Sequence, residues 1–319
     1  MRRERGMVWL LALLLVLGAC GTPAPAAGPA EAAPAACRLF VLAGQSNMGG
    51  RGRYEELPAE DVAGWEGQAL PANVHLAAVS LGVDLQPLPE DLFGPELALA
   101  LVLAAAYPDE RLVLVKYAVD GSSLLDWAPQ WDAATAALTG FPEFGPLYDK
   151  LLALVEETTA EGQPGHGCRP AAAVWMQGER DALYPQAAAA YEANLVALIE
   201  ALRADLGAPD LPFLVGQVDP PPERYRAAAV VRDAQAEVAR AVPGACLVDT
   251  EGLSRHKDGV HYDTAGQLEL GRRFAEVYLK MAVGLYGGGT TTPIQPDPGF
   301  RAITGWKLRS VAVGAARDT

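Results

Sequence analysis

Basic residues are scarce in this chain. Lys and Arg number 25 against 39 Asp and Glu, a formal net charge of −14, and past the first few residues they are scattered. Such a field repels phosphate backbones and excludes nucleic acid as an expected partner. Cysteine is sparse too: there are four, none in a CxxC pair, so neither a zinc site nor a dithiol motif is indicated. The glycines at 49, 50 and 52 lack the GK[ST] ending of a phosphate loop. A GxSxG elbow and internal repeats are both missing. With only four histidines, imidazole chemistry has few places to reside.

What is present begins with MRRERGMVWLLALLLVLGAC. An Arg-rich start precedes an apolar segment from Met7 to Leu17, long enough for a signal h-region and short for a membrane span. The ending Leu17, Gly18, Ala19, Cys20 resembles a bacterial lipobox, which implies a signal peptide over 1–19 and a lipid on Cys20. The alternative is an ordinary signal peptide with an incidental cysteine. Gly21 stands where an inner-membrane retention signal has Asp, which leaves the membrane open. Residues 20–36 are almost wholly Pro, Ala and Gly and read as a tether. The expected location is extracytoplasmic, anchored to a bilayer. Periodic structure then runs over 37–285, enough for one α/β domain. Residues 286–319 read as a Gly/Pro-rich tail or a small extension.

Continuous apolar runs with β-branched residues at 39–43, 112–115, 172–176 and 213–218 suit strands covered on both faces. Shorter candidates lie at 74–79 and 246–249. Helical patterns fill 93–106, 146–160, 185–206 and 222–241. Thr264 and Gln267 read as a capping box opening a last helix to about Val283. The alternation predicts a three-layer α/β/α sandwich on a parallel sheet of about five strands.

Four strand ends carry polar groups, and open α/β folds place their sites at such ends. The first is GQSNMGG (44–50), which presents Ser46 between Gln45 and Asn47. A serine needs a base, and the base needs an orienting partner. KDGVHYDTAGQ supplies both, with Asp258 three residues before His261. The third stretch, WMQGERD (175–181), again leaves a strand and offers Gln177 as a donor to a developing oxyanion. Glu179 there reads as support for the histidine or as a solvated charge. Trp175 reads equally as core or as a sugar platform. In KYAVDGSSLLDW (116–127), Gly121 leaves its N–H unobstructed. Cys37 and Cys168 each precede a strand-like run. A disulfide among Cys37, Cys168 and Cys246 is permitted outside the cytoplasm, with its pairing open.

GQSNM, FGPE (93–96), KYAVDGSSL, WMQGE and DGVHY occur in the order seen in SGNH-type esterases. The chain resembles the sialate O-acetylesterase and acetylxylan-esterase branch, carbohydrate esterase family 6. The resemblance spans about 37–283 and implies a flavodoxin-like strand order. It implies Ser46 as nucleophile, His261 as base and Asp258 as orienting acid. It also implies an oxyanion hole from the Ser46 and Gly121 N–H groups with the Gln177 side chain. Gln45, Asn47 and Glu179 are left as supporting residues, and no metal or organic cofactor is implied. Two departures stand out. Asp120 precedes Gly121 where the family commonly has a second glycine, and Arg180 occupies a position commonly held by a small residue. The expected function is removal of O-acetyl groups from carbohydrates. Lipase-like or thioesterase activity on the same triad is one alternative. A non-catalytic glycan-binding lipoprotein is the other. The sequence is silent on oligomeric state.

Overall fold

The computed structural model describes residues 36–57 and 70–282. The lipobox with Cys20, almost all of the tether, residues 283–285 and the tail at 286–319 lie outside the described residues. None of the described helices is long and apolar enough to cross a membrane.

Six parallel strands form the central sheet: β1 (Cys37–Gly44), β2 (Val74–Leu81), β3 (Arg111–Val119), β4 (Arg169–Met176), β5 (Phe213–Gly216) and β6 (Ala245–Val248). Their order is β2-β3-β1-β4-β5-β6. Five of them, β3-β1-β4-β5-β6, follow the flavodoxin-like order, and β2 is added outside β3. The sheet thus has six strands rather than about five. The short apolar stretch at 74–79 is the edge strand, and its half-buried residues match that place. All eight residues of β1 are buried, as expected for a strand with neighbours on both sides and helices on both faces.

Five longer helices cover the sheet: α1 (Glu96–Ala106), α2 (Leu147–Thr159), α3 (Pro185–Asp205), α4 (Ala228–Ala241) and α5 (Thr264–Ala282). From β1 the chain passes β3 to reach the edge strand β2, returns through α1 to β3, and then passes β1 to reach β4, β5 and β6. The last helix, α5, packs on α1 in one helical layer, and α3 packs on α4 in the other.

Two helix starts differ from expectation. The stretch 222–241 becomes helical only at Ala228. Residues before a proline avoid the α region, and Pro220, Pro221 and Pro222 stand in succession. The chain turns there instead, with Tyr225 N–H donating to Pro221 O at 3.0 Å. The Thr264–Gln267 capping box does not form. Asp263 caps α5, accepting from Gly266 N–H at 3.0 Å. Thr264 Oγ1 is drawn away to accept from Arg53 N–H and donate to Glu56. Cys37 and Cys168 form a disulfide joining the starts of neighbouring β1 and β4, and Cys246 is a buried thiol outside that bond.

The carboxyl ends of β1, β3 and β4 meet at Gly44, which lies beside Ala118 and Met176. Gly44 has φ +154°, and a Cβ there would fall 2.1 Å from Met176 O. Only glycine lets β1 end this close to β4. This is the point at which the chain reverses its direction along the sheet, where such folds put their sites.

Candidate active site

Directly after Gly44 the backbone makes one helical turn, Ser46–Gly49. Gln45 O closes it by accepting from Met48 and Gly49 N–H at 2.8 Å. Its far end is held from below. Lys116 of β3 is buried, donates to Gly49 O at 3.2 Å and pairs with Glu96 at 2.7 Å. A buried ion pair is tolerated when such further bonds satisfy it.

Across the crevice, the loop before α5 carries His261. Its Nδ1 lies 2.6 Å from Asp258 Oδ2, and its Nε2 lies 3.0 Å from Ser46 Oγ. A carboxylate on Nδ1 requires the proton there, so Nε2 is the acceptor for the serine hydroxyl. Asp258 Oδ1 accepts from the Val260 and His261 N–H groups at 2.8 and 3.0 Å. Partial burial raises its pKa, but the hydrogen bonds from His261 and Val260 outweigh that and hold it at about 2. Asp258, not Glu179, is therefore the carboxylate on the histidine.

Gly121 sits past β3 with φ +69° and open space where a Cβ would point. Among the described residues, neither its N–H nor that of Ser46 meets a protein acceptor. Both remain available to an incoming oxygen. The preceding Asp120 pairs with Arg51. Burial raises the Asp120 pKa, and Arg51 pulls against that.

Gln177 differs from expectation. It is fully buried, and its amide N–H groups are taken by Asp181 Oδ2 at 2.5 Å, Ser122 O at 2.9 Å and Gln45 Oε1 at 3.2 Å. Its own oxygen accepts from Tyr191 OH at 3.1 Å. Rather than facing the crevice, Gln177 ties together the loops after β1, β3 and β4. Asp181, which sequence reasoning passed over, anchors the Gly121 loop by accepting from Ser123 Oγ at 2.9 Å and Leu124 N–H at 3.0 Å. The only signal for it was its place four residues after Gln177. Asp126 was also missed, although Ser123 with Asp126 three positions on spells a capping box, which forms.

Trp175 is core. It is 1% exposed, stacks edge-on against Trp127 and donates to Tyr191 OH at 3.2 Å. Ser122 and Ser123 are buried and bonded into the loop. Arg180 donates to Thr139 O while its guanidinium lies over Phe141 and Tyr184. Gln45 Oε1 accepts from Arg180 N–H at 3.2 Å. Asn47 donates to Glu179 Oε1 at 2.7 Å. The described residues contain no group of three or more His, Cys, Asp or Glu placed to hold a metal.

Residues 36–280 match the family model for carbohydrate esterase, sialic acid-specific acetylesterase. A probable carbohydrate esterase of Arabidopsis thaliana is 28% identical over 267 residues, covering 76% of this chain and 90% of the relative. The X-ray structure of that Arabidopsis protein superposes with a TM-score of 0.57 at 25% identity, over 76% of this chain and 98% of its own. A carbohydrate acetylesterase from Xanthomonas citri shares the fold, with a TM-score of 0.54 at 20% identity, over 76% of this chain and 55% of its own.

Proposed function

Because this chain belongs to the sialic acid-specific acetylesterase family of carbohydrate esterases, and is thus a carboxylic ester hydrolase, we propose that it removes O-acetyl groups from sugars through a Ser46–His261–Asp258 triad. The observation that carries this reading is the continuous line from Asp258 to His261 Nδ1 and from His261 Nε2 to Ser46 Oγ.

Ser46 Oγ attacks the ester carbonyl carbon while His261 Nε2 takes the hydroxyl proton. The carbonyl oxygen becomes an oxyanion, met by the Ser46 and Gly121 N–H groups. The carbon–oxygen bond to the sugar then breaks, and the imidazolium gives its proton to the departing sugar oxygen. Water attacks the acetyl-serine, His261 takes its proton, and the collapse of the second oxyanion releases acetate and returns the proton to Ser46. Asp258 stays ionised throughout and stabilises the imidazolium.

Polar groups favour a sugar ester over a lipid chain here: Asp258 lies on His261, and the Asp120–Arg51 pair is near enough for His261 to act electrostatically on Asp120. We further propose that Cys20 carries the lipid anchor and that 37–285 is the catalytic domain. Labelled palmitate should enter the parent protein and not C20S. Acetate release is the direct test of substrate, measured on acetylated xylan, pectin, cell-wall glycan and sialic acids beside a chromogenic acetate. Release from at least one sugar ester, abolished in S46A, is expected. Activity confined to long-chain acyl esters contradicts the sugar reading.

A further inference from the structure

Asn47, next to Ser46, is 1% exposed, and its side chain never reaches the crevice. Its Nδ2 donates to Val260 O at 3.2 Å, and its Oδ1 accepts from Tyr262 N–H at 3.1 Å. Those two backbone groups flank His261. The residue after the serine thus grips the chain on both sides of the histidine. The same Nδ2 donates to Glu179 Oε1 at 2.7 Å, the shortest of the three bonds that fix which way the amide faces. Turned over, Asn47 would set its oxygen against two acceptors and its N–H₂ against a donor.

Glu179 has no bond to His261. It is buried, its Oε2 has no partner, and burial raises its pKa against the pull of Asn47 and His261. A carboxyl kept at such cost calls for a role.

We propose that Asn47 and Glu179 are positioning residues, a bracket that sets the distance between His261 Nε2 and Ser46 Oγ. Glu179 acts only as an acceptor that fixes the Asn47 amide. This rests on the triad reading above. Displacements on the scale of 1 Å in such a pair cost about a hundredfold in rate.

The polarity of the bond gives the test. E179Q keeps an acceptor for Asn47, so its kcat should stay within about threefold of the parent. N47D sets its new oxygen against both Glu179 Oε1 and Val260 O and should lose about a hundredfold in kcat with little change in KM. In N47D/E179Q the glutamine amide donates to the new carboxylate while Val260 O still opposes it, so kcat should recover in part, about tenfold over N47D. A crippled E179Q, a parent-like N47D or a double variant no better than N47D overturns the bracket. If N47D does not fold, E179L decides: lowered kcat at unchanged KM supports the bracket, and parent kcat overturns it. Parent and S46A are run in the same assay. A parent without acetate release contradicts the esterase reading, whereas an active parent with no rescue contradicts the bracket alone.

Discussion

His261 divides its two nitrogens between Asp258 and Ser46, at 2.6 and 3.0 Å. That division makes the carboxylate the determinant of tautomer. In D258N the amide can present N–H to the ring, which favours the opposite tautomer and leaves no acceptor for the serine proton. D258N should therefore fold normally and keep its KM while kcat falls on the order of 10⁴-fold. Since Asp258 is held at about 2, it is ionised well below neutrality and loses its charge only as pH falls through that value. Asp258 should thus play no part in the acid limb of kcat/KM above about pH 3. A D258N enzyme with near-parent kcat contradicts this division of roles.

Gln177 should behave as a structural node. Q177A strips Asp181, a fully buried carboxylate, of its side-chain amide donor and leaves Tyr191 with one acceptor fewer. Losing a partner to a buried charge costs about 2–3 kcal/mol. The expected result in urea is a lower unfolding midpoint, accompanied by a disordered Gly121 loop. An unchanged midpoint with a selective hundredfold fall in kcat would instead return Gln177 to the oxyanion hole.

Asp126 makes stability depend on pH. Burial, helped by the nearby Asp181 charge and opposed by Ser123 N–H, raises its pKa to about 7. The folded state therefore holds a proton that the unfolded chain, with a pKa of about 3.9, gives up earlier. Asp126 costs nothing below the unfolded value, and stability declines as pH rises from there through about 7. D126N should exceed the parent in stability at pH 8 and lose that advantage towards pH 4. Equal pH slopes for the two proteins contradict the assignment.

The Cys37–Cys168 bond closes a separation of 131 residues. Joining two adjacent strands at such separation restricts the unfolded chain, with typical worth of about 2–4 kcal/mol. The C37A/C168A variant should melt at a clearly lower temperature, with acetate release kept below that transition. An unchanged Tm contradicts the bond's contribution.

The sheet was legible because buried parallel strands such as LFVLA and LVLV write themselves as unbroken apolar runs. The edge strand Val74–Leu81, half exposed, gave a weaker signal for the same reason. That Ser46, Asp258 and His261 come together was expected from residue type, with the serine at a strand end and the other two just before a helix. Gln177 was misread because a buried amide and a crevice-facing amide look alike in sequence. Which one forms depends on Asp181 and Ser122, brought together only by folding. The α5 cap failed likewise: Thr264 carries the right motif, but Asp263 outcompetes it once Arg53 and Glu56 take the threonine hydroxyl.

The central claim is that Ser46 and His261 act as one unit, and kcat for acetate release in S46A, H261A and S46A/H261A tests it most directly. Neither group works without the other, so all three should fall to a common residual rate. Two residues acting separately would instead give additive losses, with the double variant far below either single one. That result, or an S46A enzyme with parent kcat, contradicts the account.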